Sequence, residues 1–381
     1  METIIRQATK DDMEAIGRFL RHAYEQEKKG FSIFKFPERW IWQFIENPFV
    51  DEPDNRLPIW LAIKDNEIVG QMCAISANMK IGDQTYSGGW GCDFIVSRKS
   101  RGEGIGHKLT GAYYQHYQVG VGVSMAGSTR RIWEKYDPIH LKPMHIYWHV
   151  VKLDKHILNI YLSKRLENRK YVNNIYNIAC KYLSFHNLLA KLANILLSIR
   201  KMVNPMLKQH FNSCIQEIFE FGDDIENLSE STYRDYDAIV KRESILLNWR
   251  FFRNKQLKYR VFILKNNDRL KGYLVVRKPH AAELNIGHIV DFYAAKNDID
   301  TINELLLFAI KFFGNSVSAI KCSTSLSNIE KLIKKYGFIR IEKMRPLVLV
   351  SDPALREKLR NLTENWFLTL ADQDLDQIRP E

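Results

Sequence analysis

Asp93-Phe-Ile-Val-Ser-Arg-Lys-Ser-Arg-Gly-Glu-Gly-Ile-Gly-His-Lys-Leu-Thr110 is the stretch on which the reading of the fold turns. Phe94, Ile95 and Val96 read as the end of a hydrophobic strand, the residues up to Gly104 as a basic, glycine-rich turn, and Ile105 onward as an amphipathic helix. A helix entered in this way is an anion site. Glycines let backbone amides approach a ligand closely, and the first-turn N–H groups together with the helix dipole favour phosphate. Arg98, Lys99 and Arg101 add positive charge at the same point, as a diphosphate requires. Two commoner phosphate loops fit worse: no GK[ST] is present, and Leu109 stands where a dinucleotide fingerprint through Gly104 and Gly106 needs a glycine. The plainer alternative is a strand-to-helix turn whose glycines serve packing.

Working outward, the chain repeats itself. Trp42-Gln-Phe-Ile-Glu-Asn47 and Trp249-Arg-Phe-Phe-Arg-Asn254 both read WxFxxN, apolar at helical spacing and ending in a residue suited to leaving a helix; they are offset by 207 residues. Each is followed by two apolar runs around a polar turn, Ile59 to Gly70 and Val261 to Gly272, which read as hairpins. Cys92-Asp-Phe-Ile-Val96 then matches Val290-Asp-Phe-Tyr-Ala294, with Asp93 and Asp291 offset by 198 residues. Three matches in the same order at nearly constant offset indicate an internal duplication.

The first half predicts a strand at Ile4 to Ala8, a helix from Asp11, a helix at Arg39 to Asn47, and strands at Ile59 to Ile63, Val69 to Ala77 and Trp90 to Val96. A helix at Gly106 to Tyr117, a strand at Val121 to Ala126 and a short helix after Ser128 follow. Such alternation gives an α/β (mixed α+β) fold: two domains, each a central mixed sheet flanked by helices. The divisions expected are 1–152, a helical insertion or linker at 153–235, a second copy at 236–352 and a C-terminal helix and tail at 353–381. In that tail a helix over Ala354 to Leu368 precedes an acidic end expected to fray.

Length supports two domains, since 381 residues exceed what one core organises, and 45% hydrophobic residues exclude a disordered chain. The five cysteines are scattered and free of CxxC spacing, which argues against a disulfide framework or a metal site and for buried free thiols. Acidic residues near the N-terminus stand where a signal peptide needs basic ones, so a cytoplasmic protein is expected. A net charge of +12 suits an anionic partner, and much of it lies between Lys152 and Lys208. There Leu188 to Ile199 is too short and too polar to span a membrane. The insertion either lies on a membrane or other anionic surface or packs against a domain.

Arg101-Gly-Glu-Gly104-Ile-Gly106 resembles the R/Q-x-x-G-x-G/A signature of the GNAT (Gcn5-related N-acetyltransferase) enzymes, and the order of elements from Ile4 to Lys152 is similar to theirs. The resemblance implies acetyl-CoA, or another acyl-CoA, as co-substrate and no metal. It implies a loop of Arg101, Gly102, Glu103, Gly104, Ile105 and Gly106 around the coenzyme A pyrophosphate, and Phe94, Ile95 and Val96 pairing with pantetheine on a strand that splays from its neighbour. Asn328 to Phe338 resembles the helix-to-GF ending of the same family, so the second copy belongs to the fold. Yet Lys296-Asn-Asp-Ile-Asp-Thr301, which follows its strand, has no glycine and is not expected to hold coenzyme A.

Transfer to an amine needs a group to accept the amine's proton and one to protonate the thiolate. The resemblance implies Asp93 as base, although Asp291 repeats it in the copy without a loop. For the acid, Trp133 occupies the family's tyrosine position and Tyr136 is the nearby substitute. Ser128 either bonds pantetheine or caps the next helix, and His107 either faces phosphate or solvent. The function expected is an N-acetyltransferase acting on a small-molecule amine, with nucleic acid not expected as a partner. The alternatives are a FemABX-like aminoacyl transferase using charged transfer RNA, which the basic charge suits and the intact loop opposes, or a non-catalytic acyl-CoA-binding pair.

Overall fold

The computed structural model describes residues 2–26, 36–50, 55–153, 157, 191, 194, 195, 197, 203–208, 214–279 and 285–376. The basic stretch between Lys152 and Lys208, its segment Leu188 to Ile199, and Cys180 lie for the most part outside these residues.

In the first half, β1 (Ile4–Thr9) and α1 (Met13–Gln26) lead to α2 (Glu38–Phe44), then β2 (Arg56–Lys64), β3 (Glu67–Ile81) and β4 (Gln84–Val96). After the glycine turn come α3 (Ile105–His116), β5 (Val119–Gly122), α4 (Gly127–Trp133), β6 (Ile139–His140) and β7 (Met144–Val150). The second half runs β8 (Cys214–Ile218), α5 (Asp224–Thr232), β9 (Ala238–Val240), α6 (Ser244–Phe251), β10 (Tyr259–Asn266), β11 (Arg269–Arg277), β12 (Ile286–Ala294) and α7 (Ile299–Phe313). It continues with β13 (Ala319–Thr324), α8 (Ser327–Lys335), β14 (Ile339–Met344), β15 (Leu347–Leu349), α9 (Pro353–Arg360) and β16 (Trp366–Phe367). Among these helices none is long and apolar enough to cross a membrane.

The duplication is visible in local geometry. Both hairpins turn on two residues with positive φ, Asp65 (53°) with Asn66 (62°) and Asn267 (47°) with Asp268 (58°), the left-handed pair that matches strand twist. The asparagines ending the two WxFxxN segments both accept from the amide two residues on, at 3.0 Å from Phe49 and from Gln256. Helix α8 stops at Gly337, with φ +88°, before buried Phe338.

The two sheets exchange a strand. One is ordered β1-β2-β3-β4-β5-β15-β6, with β9 also pairing β3 and β16 pairing β9, the other β8-β10-β11-β12-β13-β7-β14, and along each of these paths the sixth strand comes from the opposite half of the chain. β7 pairs antiparallel with both β13 and β14, and β15 with both β5 and β6. The second sheet therefore takes β8 from the stretch assigned to the linker and β7 from the first copy, so no single cut separates the sheets. Strand periodicity, which names a strand's faces but not its neighbour, carries no sign of this.

Trp42 and Trp249, at matching places in the two halves, meet reciprocally. Their rings stack at 4.6 Å and 13°, and each indole N–H donates to the other's carbonyl at 3.0 Å. Both are buried, so Trp42→Ala removes packed volume, the stack and the hydrogen bond from the Trp42 indole together, while the Trp249 indole keeps the main-chain carbonyl of residue 42 as its acceptor. It is expected to cost about 3–5 kcal/mol, read from the urea midpoint at unchanged slope.

The C-terminal expectation is corrected. Helix α9 ends at Arg360, and the described part of the acidic end is held in place: Leu368 to Asp376 lies largely buried between the halves. Alternate aspartates each meet a different arginine. Asp372 pairs with Arg242 at 3.1 Å, Asp374 with Arg39 at 3.0 Å, and Asp376 with Arg250. Burying these carboxylates is tolerable only because the guanidiniums are there. The thiol expectation holds for Cys73, Cys92 and Cys322, which are free and buried, whereas Cys214 is exposed.

Candidate functional site

β4 is bent where the site begins. Its pairing with β3 shifts between Gln71 and Cys73, and Asp93 takes φ +45°, a left-handed conformation that aspartate tolerates; this is a bulge. On its other edge β4 pairs in parallel with β5 over only Gly88 to Trp90, opposite Val119 to Val121. Beyond Trp90 the two strands separate, leaving one edge of Phe94 to Val96 without a strand partner.

Into that opening faces a cavity of about 580 Å³, within the range of small-molecule sites. Of the residues singled out in sequence, Phe94, Ile95, Val96, Arg101, Gly102, Gly104, Ile105, Gly106 and Ser128 line it. Glu103 does not; its carboxylate pairs with Lys64 at 2.7 Å on the rim, leaving only its backbone to the loop. Gly102 and Gly104 have φ of +92° and +78°, and a Cβ on either would point into open space. None of the amides of Gly102 to Gly106 has an acceptor among the described residues, and Gly104 enters α3 without a side-chain cap. Arg101 Nε donates to the Val96 carbonyl at 3.2 Å, tying loop to strand end. A row of open donors at a helix start, beside Arg98, Lys99 and Arg101, is an arrangement at which an anion can be held.

The second copy closes the corresponding place. Asp298 caps α7, accepting from the Thr301 amide at 3.1 Å and its hydroxyl at 2.8 Å. A carboxylate thus holds the Thr301 amide, where the first copy leaves its amides open. Past β13, the backbone of Trp366 to Leu368 bonds to Ser325, filling the gap with the chain itself.

Asp93 stands beside the cavity, its carboxylate 3.2 Å from Arg39, which also holds Asp374. Ser128 lies in the first turn of α4 and faces the cavity; the cap position belongs to Ala126, so a capping role is excluded. His107 also faces it. Tyr136 does not: its hydroxyl donates to the His107 carbonyl at 2.8 Å and its ring packs on Tyr114. Trp133, at the family's tyrosine position, is buried against Tyr113. Sequence reading missed Tyr24, which lines the cavity from α1; burial and the Asp93 charge push its phenol above its ordinary value, with Arg39 pulling the other way. Burial likewise pushes the Cys73 and Cys92 thiols well up, which disfavours the thiolate a nucleophile needs. Among the described residues no cluster suited to a metal ion occurs.

Residues 4–137 match the family model described as acetyltransferase (GNAT) domain. Solved structures of similar fold include a conserved protein of unknown function from Enterococcus faecalis, described as a probable N-acyltransferase (11% identity, 92% of this chain and 73% of that one, TM-score 0.55). GCN5-related N-acetyltransferases from Anabaena variabilis (10%, 91% and 72%, TM-score 0.57) and Kribbella flavida (9%, 91% and 70%, TM-score 0.55) are also similar. At these identities the likeness is one of fold, and it extends over both halves. No curated protein matches in sequence.

Proposed function

We infer that this chain, whose residues 4–137 match a GNAT acetyltransferase domain, is an N-acetyltransferase whose donor is acetyl-CoA or another short acyl-CoA held by the first copy and whose acceptor is a small-molecule amine. The observation that carries this is the open amide row of Gly102 to Gly106 above two glycines whose missing Cβ atoms leave the approach clear. The thioester supplies an activated carbonyl: the amine nitrogen forms the C–N bond, the C–S bond breaks, and coenzyme A leaves as thiolate. In this reading Phe94 to Val96 hold the pantetheine arm along their free edge, and Ser128 reaches it from α4. Asp93 accepts the amine's proton. The Tyr24 phenol, protonated in the neutral range as any phenol is and pushed further up by burial, donates a hydrogen bond to the departing sulfur. Tyr136, committed to the His107 carbonyl outside the cavity, is given packing instead of the acid's part.

The second copy takes a structural role, because Asp298 and the chain at Trp366 to Leu368 fill what a nucleotide needs. One observation favours a second reading, acyl-CoA binding without catalysis: the candidate base is ion-paired to Arg39. Release of free coenzyme A thiol from acetyl-CoA over a panel of amines separates the two. Asp93→Asn is expected to lower kcat by at least about a hundredfold while leaving acetyl-CoA affinity unchanged. An unchanged kcat removes Asp93 from the base's role; binding with no thiol release on any amine favours the second reading.

A further inference from the structure

We propose that Gln373, carried in by the C-terminal segment, is the end-stop of the acyl site and restricts the donor to short acyl groups. The proposal rests on the acyl-CoA reading above and adds to it a determinant that neither the loop nor the strand contains.

The direction of a bound thioester follows from the chain. With the diphosphate at Gly102 to Gly106 and pantetheine along Phe94 to Val96, the acyl end points back up β4 toward Asp93 and Gly91. That is the point at which β4 and β5 part, and it is bridged by one side chain. Gln373 Nε2 donates to the Gly91 carbonyl at 2.5 Å, and its Oε1 accepts from the amides of Val123 at 3.2 Å and Ser124 at 3.5 Å. The carboxamide thus replaces the missing rung of the ladder, and Gln373 is 5% exposed. Beyond it lies a small cavity of about 30 Å³ whose lining includes Gln373 itself, the apolar side chains of Ile75, Ala77, Trp90 and Leu246, and the ion-paired Arg242 and Asp372. In order along β4, the large cavity touches residues 94 to 96, Gln373 touches 91, and the small cavity touches 90. Gln373 lines the small cavity and in this order stands between it and the large one, which in the proposal makes its side chain the partition.

The partition is held rigidly. Its neighbours Asp372 and Asp374 are the buried partners of Arg242 and Arg39, which come from the second and first halves respectively. Gln373 itself has φ +64°, so this residue is kept in a left-handed conformation that its side chain disfavours. That conformation also supplies a clean test, since Gln373→Gly relieves the backbone while deleting the partition, and asparagine tolerates the same φ with one methylene less.

Because the acceptor is unidentified, the readout is binding of acetyl-, butyryl- and hexanoyl-CoA to the full chain by calorimetry. The native protein is expected to prefer acetyl-CoA over hexanoyl-CoA by at least about tenfold, the order at which a pocket discriminates methylenes. In Gln373→Gly the preference is expected to fall by about tenfold or to reverse, with acetyl-CoA affinity within about threefold of native. Gln373→Asn is expected to shift the profile toward butyryl-CoA, and it decides the matter if the glycine variant fails to fold. Chain-length profiles identical in native and variant proteins overturn the end-stop while leaving acyl-CoA binding intact. No binding of any thioester to the native chain overturns the underlying reading and the end-stop with it.

Discussion

Gly104→Val is expected to lose at least about a hundredfold in acetyl-CoA affinity, about 2.7 kcal/mol, with the fold retained. Two effects add. Gly104 sits at φ +78°, where a β-branched residue is a steric outlier, and its Cβ would enter the space in front of the loop amides. The ligand therefore meets both a displaced amide row and a methyl group. The loss in stability is expected to be limited to about 1–2 kcal/mol, because nothing in the protein lies within reach of that Cβ. Arg101→Glu should act in the same direction and more strongly at low salt, since the interaction lost there is partly with a diphosphate charge. Calorimetric titration with acetyl-CoA, alongside a thermal melt, reads both quantities. Affinity retained in Gly104→Val would mean that the glycines serve packing, the plain alternative open to this turn from sequence.

Separating the halves is expected to have the larger structural effect. A fragment of residues 1–152 would carry β7 with no partner and would lack β15 between β5 and β6; a fragment from 203 onward would lack β7 between β13 and β14. Each would expose unpaired edges in mid-sheet, where β7 is buried over most of its length. Neither fragment alone is expected to give a cooperative transition, whereas the full chain should melt once, with equal calorimetric and van't Hoff enthalpies. The seam reinforces this: the Trp42–Trp249 stack and the three aspartate–arginine pairs each tie one half to the other or to the C-terminal segment. Two resolved transitions in the native chain would contradict it.

What could be read in the sequence was local. The strand, basic turn and helix around Arg101 are contiguous, and the glycines' positive φ is the conformation the pattern demands. The hairpins and the two WxFxxN helices were likewise legible, because two-residue turns and helical spacing are decided within a few positions. What escaped depends on distant pairing. Met144 to Val150 reads as a buried strand in either sheet. Asp372, Asp374 and Asp376 read as a solvated tail because their arginines lie 130, 335 and 126 residues away. Gln373 and Tyr24 carry no pattern at all; one earns its place from the gap between β4 and β5, the other from a cavity that forms only when α1 packs on the sheet. Tyr136 looked suitable because it was near in sequence, and the fold turned its hydroxyl to the backbone of α3.

The central claim is that one copy of a duplicated fold holds a CoA thioester and the other has been filled. Isothermal titration of the full chain with acetyl-CoA tests it directly. One site per chain, lost in Gly104→Val, is the expected result. Two sites per chain, or none, would contradict it.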